Sequence, residues 1–96
     1  MPLPQPFAYL VSFDAGNAAA HNSLSLELKT SVRWCHQLPS TWIILRYETL
    51  AELSVKLREL LPKEGRLLVM PAMGPGDGWL PKEAWDWIND HVPRAW

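Results

Sequence analysis

The sequence predicts an α+β fold, and three features predict it. Phe7-Ala8-Tyr9-Leu10-Val11-Ser12-Phe13-Asp14 is a nearly unbroken apolar run that stops at a carboxylate and the turn formers Gly16-Asn17. That is the pattern of a strand buried on both faces. Val32–Leu38 and Thr41–Tyr47 are rich in β-branched and aromatic residues and are separated by Pro39-Ser40, which reads as a hairpin. Leu50, Leu53, Leu57, Leu60 and Leu61 recur at helical spacing behind a capping box of Thr49 and Glu52. With the remaining elements the order becomes strand, helix, strand, strand, helix, strand and an added short helix. Right-handed crossovers turn that order into a ferredoxin-like β-α-β-β-α-β sandwich, a four-stranded antiparallel sheet with helices on one face and the first and third strands central.

In chain order, residues 1–6 alternate prolines and read as an extended, Pro-rich tail, leaving 7–96 as a single domain. Ala18–Thr30 carries two signals. Ala20, Leu24 and Leu28 lie four apart, as on a helix, whereas Ser23 to Thr30 alternates as a strand would. Helix is the expectation, because a crossover must follow the first strand. In the hairpin, a four-residue turn that sets Leu38 against Thr41 pairs His36 with Ile43 and Trp34 with Leu45 on one face. On the other face it pairs Gln37 with Trp42 and Arg33 with Arg46; one residue more in the turn reverses the assignment. Pro62 and Gly65 end the leucine-rich helix, and Arg66–Met70 reads as a further short buried strand. Gly74–Gly78 is a connector without the lysine of a phosphate-binding loop. Pro81 opens a last helix with Ala84, Trp85 and Ile88 on its apolar side, and Pro93 closes it.

Composition narrows the function. The 96 residues are 48% hydrophobic, include six tryptophans and carry a formal net charge of −1. There is thus no global basic field to attract nucleic acid, although a local patch remains open. The single Cys35 forms no internal disulfide, and no Cys/His cluster has zinc spacing. The N-terminus lacks the pattern of a signal peptide, and no apolar stretch is long enough to span a bilayer, so a cytoplasmic protein away from membranes is expected.

Tyr9–Asp14, Trp34–Ile44, Arg66–Val69 and Gly78–Trp87 form an ordered set that resembles the small bacterial and phage proteins called SinR-like. More distantly, the set resembles the small CRISPR-associated subunit of the spacer-integration complex and virulence-associated protein D. The resemblance implies a ferredoxin-like fold, a homodimer, and a link to nucleic-acid or mobile-element defence. In the nuclease members an aspartate ending the first strand helps to hold a divalent metal at the dimer interface, and Asp14 falls on that position. Where those members follow the aspartate with a charged segment, Ala15–Ala20 carries no charge.

Each candidate residue has a functional and a plain reading. Asp14 either holds Mg2+ with its counterpart from a second subunit, as catalytic residue of a nuclease acting on RNA or DNA, or caps the loop after its strand. His36 is a proton carrier or a hydrogen-bonded sheet residue. Arg33 and Arg46, flanked by Trp42 and Gln37, present an open face to a nucleic acid or protein partner, or else splay to solvent and pair with Glu48 and Glu27. Trp79, Trp85, Trp87 and Trp96 crowd the last stretch beyond what a small core can hide, which points to an interface. Two functions follow: a homodimeric interaction module without a cofactor, or a metal-dependent endonuclease.

Overall fold

The computed structural model describes residues 4–94. Met1–Leu3 of the expected tail and Trp96 lie outside the described residues. The elements are β1 (Phe7–Asp14), α1 (Ala18–Leu28), β2 (Arg33–Leu38), β3 (Thr41–Arg46), α2 (Leu50–Arg58), β4 (Arg66–Pro71) and α3 (Lys82–His91). All four strands pair antiparallel in one sheet ordered β2-β3-β1-β4. β1 and β3 are therefore central, as the apolar character of Phe7–Asp14 requires.

Period-two alternation divides β1 between two covered faces. Tyr9, Val11 and Phe13 join Trp42 and Ile44 of β3 in the core, closed by Ala20, Leu24 and Leu28 of α1 and by Leu53 and Leu57 of α2. The ambiguous segment is thus a helix, and Leu26, on the side away from Leu24 and Leu28, is 67% exposed. Asn17 starts α1 by accepting the Ala20 N–H at 2.8 Å. The Thr49–Glu52 capping box starts α2. That helix ends at Arg58, earlier than the leucine spacing suggests. Leu60 and Leu61 instead follow in tight turns, their N–H groups donating to Leu57 O and Arg58 O, while the side chains still pack on the core. Pro62 drives this change, since the residue before a proline is pushed away from helical geometry.

The second face of the sheet carries Ala8, Leu10 and Ser12 of β1 with Ile43 and Leu45 of β3. α3 packs across it towards β2, and Leu80 and Ile88 approach Cys35 and Ile43. The last helix therefore forms a third layer opposite α1 and α2.

Two expectations are corrected. β4 has the edge place that the expected strand order gives it, but it is buried on one face only: Leu67 and Val69 pack on the core, while Leu68 and Met70 are about half exposed. In the hairpin, Leu38 does face Thr41, but a register shift separates Cys35 from Leu38. Two residues, His36 and Gln37, oppose Trp42 alone, and beyond them Cys35 pairs with Ile43, Trp34 with Ile44 and Arg33 with Leu45. The expected pairs His36–Ile43, Trp34–Leu45 and Arg33–Arg46 do not form. The bulge lays the His36 ring flat on the Trp42 indole, with centroids 3.8 Å apart and planes at 9°.

Candidate functional site

Asp14 stands exposed at the C-terminal rim of β1, where the chain turns sharply through Gly16 at a φ of 82°. Its Oδ1 accepts the Gly16 N–H at 3.1 Å, the loop-capping geometry open to a strand-end aspartate. A polar cleft of about 450 Å3 lies beside it, bordered by Asn17, His21 and Ser40 as well. His21 and Ser40 attracted no functional reading from the sequence, yet the fold brings both to Asp14. The signal was present in the spacing: His21 lies three residues before Leu24, so α1 turns it toward the sheet, where its ring tilts against Phe13 at 5.4 Å. No hydrogen bond joins Asp14, His21 and Ser40, so they do not form a charge-relay triad. Among the described residues no three His, Cys, Asp or Glu side chains converge as a metal-binding group. One chain thus offers Mg2+ the Asp14 carboxylate, with one oxygen already engaged by Gly16.

The four residues expected to share a binding face are dispersed. Trp42 is fully buried, covered by His36 and by Trp34, whose ring tilts against it at 5.4 Å. Its indole Nε1 has no hydrogen-bond partner. His36 Nε2 bonds Pro39 O at 3.1 Å, the plain reading of that histidine. Arg33 and Gln37 are exposed. Arg33, opposite Leu45, is on the second face of the sheet, and Arg46 is on the core face. Because directly opposed residues project to the same side, the bulge separates the two arginines.

Arg46 is only 5% exposed and is held by two carboxylates. Its Nε donates to Glu48 at 3.0 Å, one terminal nitrogen donates to Glu27 at 3.0 Å, and the other bonds the Glu27 carbonyl and the Thr30 and Ser31 hydroxyls. Lys56 of α2 approaches both carboxylates, at 3.8 Å from Glu27 and 3.4 Å from Glu48. The hydrogen bonds from Arg46 hold the Glu48 carboxyl at a pKa of about 2, and bonding to Glu48 raises that of the guanidinium. Every donor of this arginine is engaged within the fold, so none remains for a nucleic acid.

An apolar surface lies elsewhere. Between the second face of the sheet and α3 runs a groove of about 330 Å3, with Leu10, Ile43 and Met70 as its floor and Met73, Leu80 and Trp85 as its walls. The loop wraps the Trp85 ring, which lies against Gly76 and Gly78. Trp87 is engaged within α3, stacked on His91 at 4.5 Å. Beside the groove, Trp79 is 100% exposed, and Met73 is largely so. Burial raises the pKa of the Cys35 thiol, which lies beneath α3, so it is a poor nucleophile at neutral pH. No helix among the described residues is long and apolar enough to cross a membrane.

Compared with protein-family models, curated proteins and solved structures, the chain matches none.

Proposed function

We propose that the protein is a small homodimeric interaction module, ferredoxin-like in its first six elements and cytoplasmic, acting by docking rather than by chemistry of its own. The strand order, with α1 and α2 sharing one face, supports the ferredoxin-like reading. The observation that carries the function is the apolar second side of the molecule. Met70 and Met73 line the groove, half-exposed Leu68 lies two residues before Met70 on the same face of β4, and fully exposed Trp79 immediately precedes the lining residue Leu80. Exposed apolar surface of this kind marks contact sites, and tryptophan is among the residues that dominate binding energy. The likeness to SinR-like proteins connects such a module to nucleic-acid and mobile-element defence, and its gene neighbourhood is the direct check on that connection. Light scattering at tens of micromolar tests the association: a dimer is expected, and a strict monomer overturns the homodimer.

A second reading rests on the polar cleft. Asp14, His21 and Ser40 at the rim of β1 are a carboxylate, a proton carrier and a hydroxyl at one opening. Paired with the cleft of a second subunit, Asp14 would supply the two carboxylates that Mg2+ takes beside water and phosphate oxygens. Labelled RNA and DNA incubated with Mg2+ or chelator, using wild type and Asp14→Ala, test it. Metal-dependent cleavage lost in the variant supports a nuclease, and equal behaviour of the two proteins removes Asp14 from any such role.

A further inference from the structure

The two edges of the sheet differ. β2 carries the bulge at His36-Gln37, which breaks the regular ladder, and bulges are a usual protection of an open edge. β4 has no bulge, no lysine and no inward-facing charge; only Arg66 at its start and Pro71 at its end interrupt an apolar strand. Its free backbone groups can be assigned from the ladder. The Ala72 N–H donates to Ala8 O at 2.8 Å. Hydrogen-bonded pairs alternate in an antiparallel ladder, so Leu10–Met70, Ser12–Leu68 and Asp14–Arg66 are the bonded pairs with β1. Leu67, Val69 and Pro71 therefore turn their backbone groups outward, and among the described residues no strand lies beyond them.

We propose that a second copy of this chain pairs with the outer edge of β4, antiparallel about a twofold axis at Leu68, so that the two sheets become one. This rests on the homodimeric reading above and names its surface. The outward groups are self-complementary about that axis. Leu67 faces the partner subunit's Val69 and each donates to the other, so every outward N–H of the strand meets a carbonyl. Pro71 faces the partner subunit's Gly65. The proline has no N–H, and the Gly65 N–H already donates to Pro62 O at 3.0 Å, so no donor is stranded where the pairing ends. On the second face Leu68 meets its own counterpart, and Met70 meets the aliphatic stem of the partner subunit's Arg66. A strand of unrelated sequence would match the bonding groups but not this symmetric pattern of side chains, which is why a second copy is the occupant.

Register-specific cross-linking in the full chain, with Cys35→Ala to remove the native thiol, tests the proposal. Residues on the axis in a non-bonded pair have Cα atoms roughly 4.5 Å apart, within disulfide reach. Leu68→Cys should therefore give a covalent dimer on mild oxidation at least about tenfold faster than Arg66→Cys, whose two copies lie four residues apart along the partner strand, roughly 13 Å. Val69→Pro removes an outward N–H without touching a bond to β1, and should raise the dimer dissociation constant at least about tenfold with an unchanged far-ultraviolet spectrum. If wild type is dimeric but positions 66 and 68 cross-link equally, the β4 surface is wrong and the homodimer stands. If wild type is monomeric, both fall.

Discussion

Trp42 and Arg46 are the two residues whose roles the fold changes most. Both are on the core face of β3, and both are polar groups that had to be accommodated on burial. Arg46 is fully bonded, whereas the Trp42 Nε1 is not. An unbonded buried N–H contributes only its desolvation cost, about 1–3 kcal/mol. Trp42→Phe removes that cost while it gives up part of the ring, so it should destabilise by no more than about 1 kcal/mol in urea unfolding. Trp42→Ala, which empties the centre of the core, should cost about 3–5 kcal/mol. Comparable losses in the two variants would mean that the indole N–H has a partner in solution. The position of Asp14 was legible from its place at the end of an apolar run, but its neighbours His21 and Ser40 were not. The spacing to Leu24 turns His21 toward the sheet, but neither that spacing nor the β2–β3 turn that carries Ser40 says which strand end the two will meet.

At the scale of elements, the local signals were sufficient wherever one backbone pattern was self-consistent. The capping box starts α2 because both of its hydrogen bonds are local, from Glu52 N–H to Thr49 and from Thr49 N–H to Glu52. Thr49→Ala should destabilise the protein by about 1 kcal/mol, read as a lower urea midpoint at unchanged slope. α1 was decided against an equally clear strand pattern by tertiary cover: a helix sets Ala20, Leu24 and Leu28 on the core and turns Leu26 to solvent, whereas a strand would put Leu26 on the same face as the other three. The hairpin register was not legible: the turn is local, but the bulge answers to the packing of His36 on Trp42 across the strands.

Across the whole molecule, Glu27 of α1, Arg46 of β3, Glu48 of the β3–α2 connection and Lys56 of α2 tie the two helices and the sheet together at one corner. Removing one partner from such a cluster costs more than the cluster contributes over an apolar replacement, because it leaves a buried charge unpaired. Its pH dependence has a definite sign. The Glu48 carboxyl is lowered from an ordinary 4.5 to about 2, so the unfolded chain takes up its proton first as pH falls. The stabilisation is fully present above pH 4.5 and is lost progressively as pH drops toward 2, amounting to at most about 3 kcal/mol. Glu48→Gln should be less stable than wild type at pH 6, and most of the gap should be lost as pH falls from 4.5 to 2.5. Parallel loss of stability in the two proteins over that range would show that Glu48 is not the group responsible.

By itself the sequence determined the α+β class, six of the seven elements in their order, and the central place of Phe7–Asp14, and it left Ala18–Thr30 between helix and strand. Those follow from periodicity, capping and burial, which act over a few neighbouring residues. Only the tertiary structure decided which residues share a surface. A one-residue bulge moved Arg33 and Arg46 to opposite faces, burial withdrew Arg46 and Trp42 from solvent, and α3 packed on the second face and left Trp79 outside. The physical reason is that side-chain direction reverses with every residue of a strand, so a small change in register reassigns a whole face. What remained open after the chain had closed its own core was the outer edge of β4 and the apolar groove beside it.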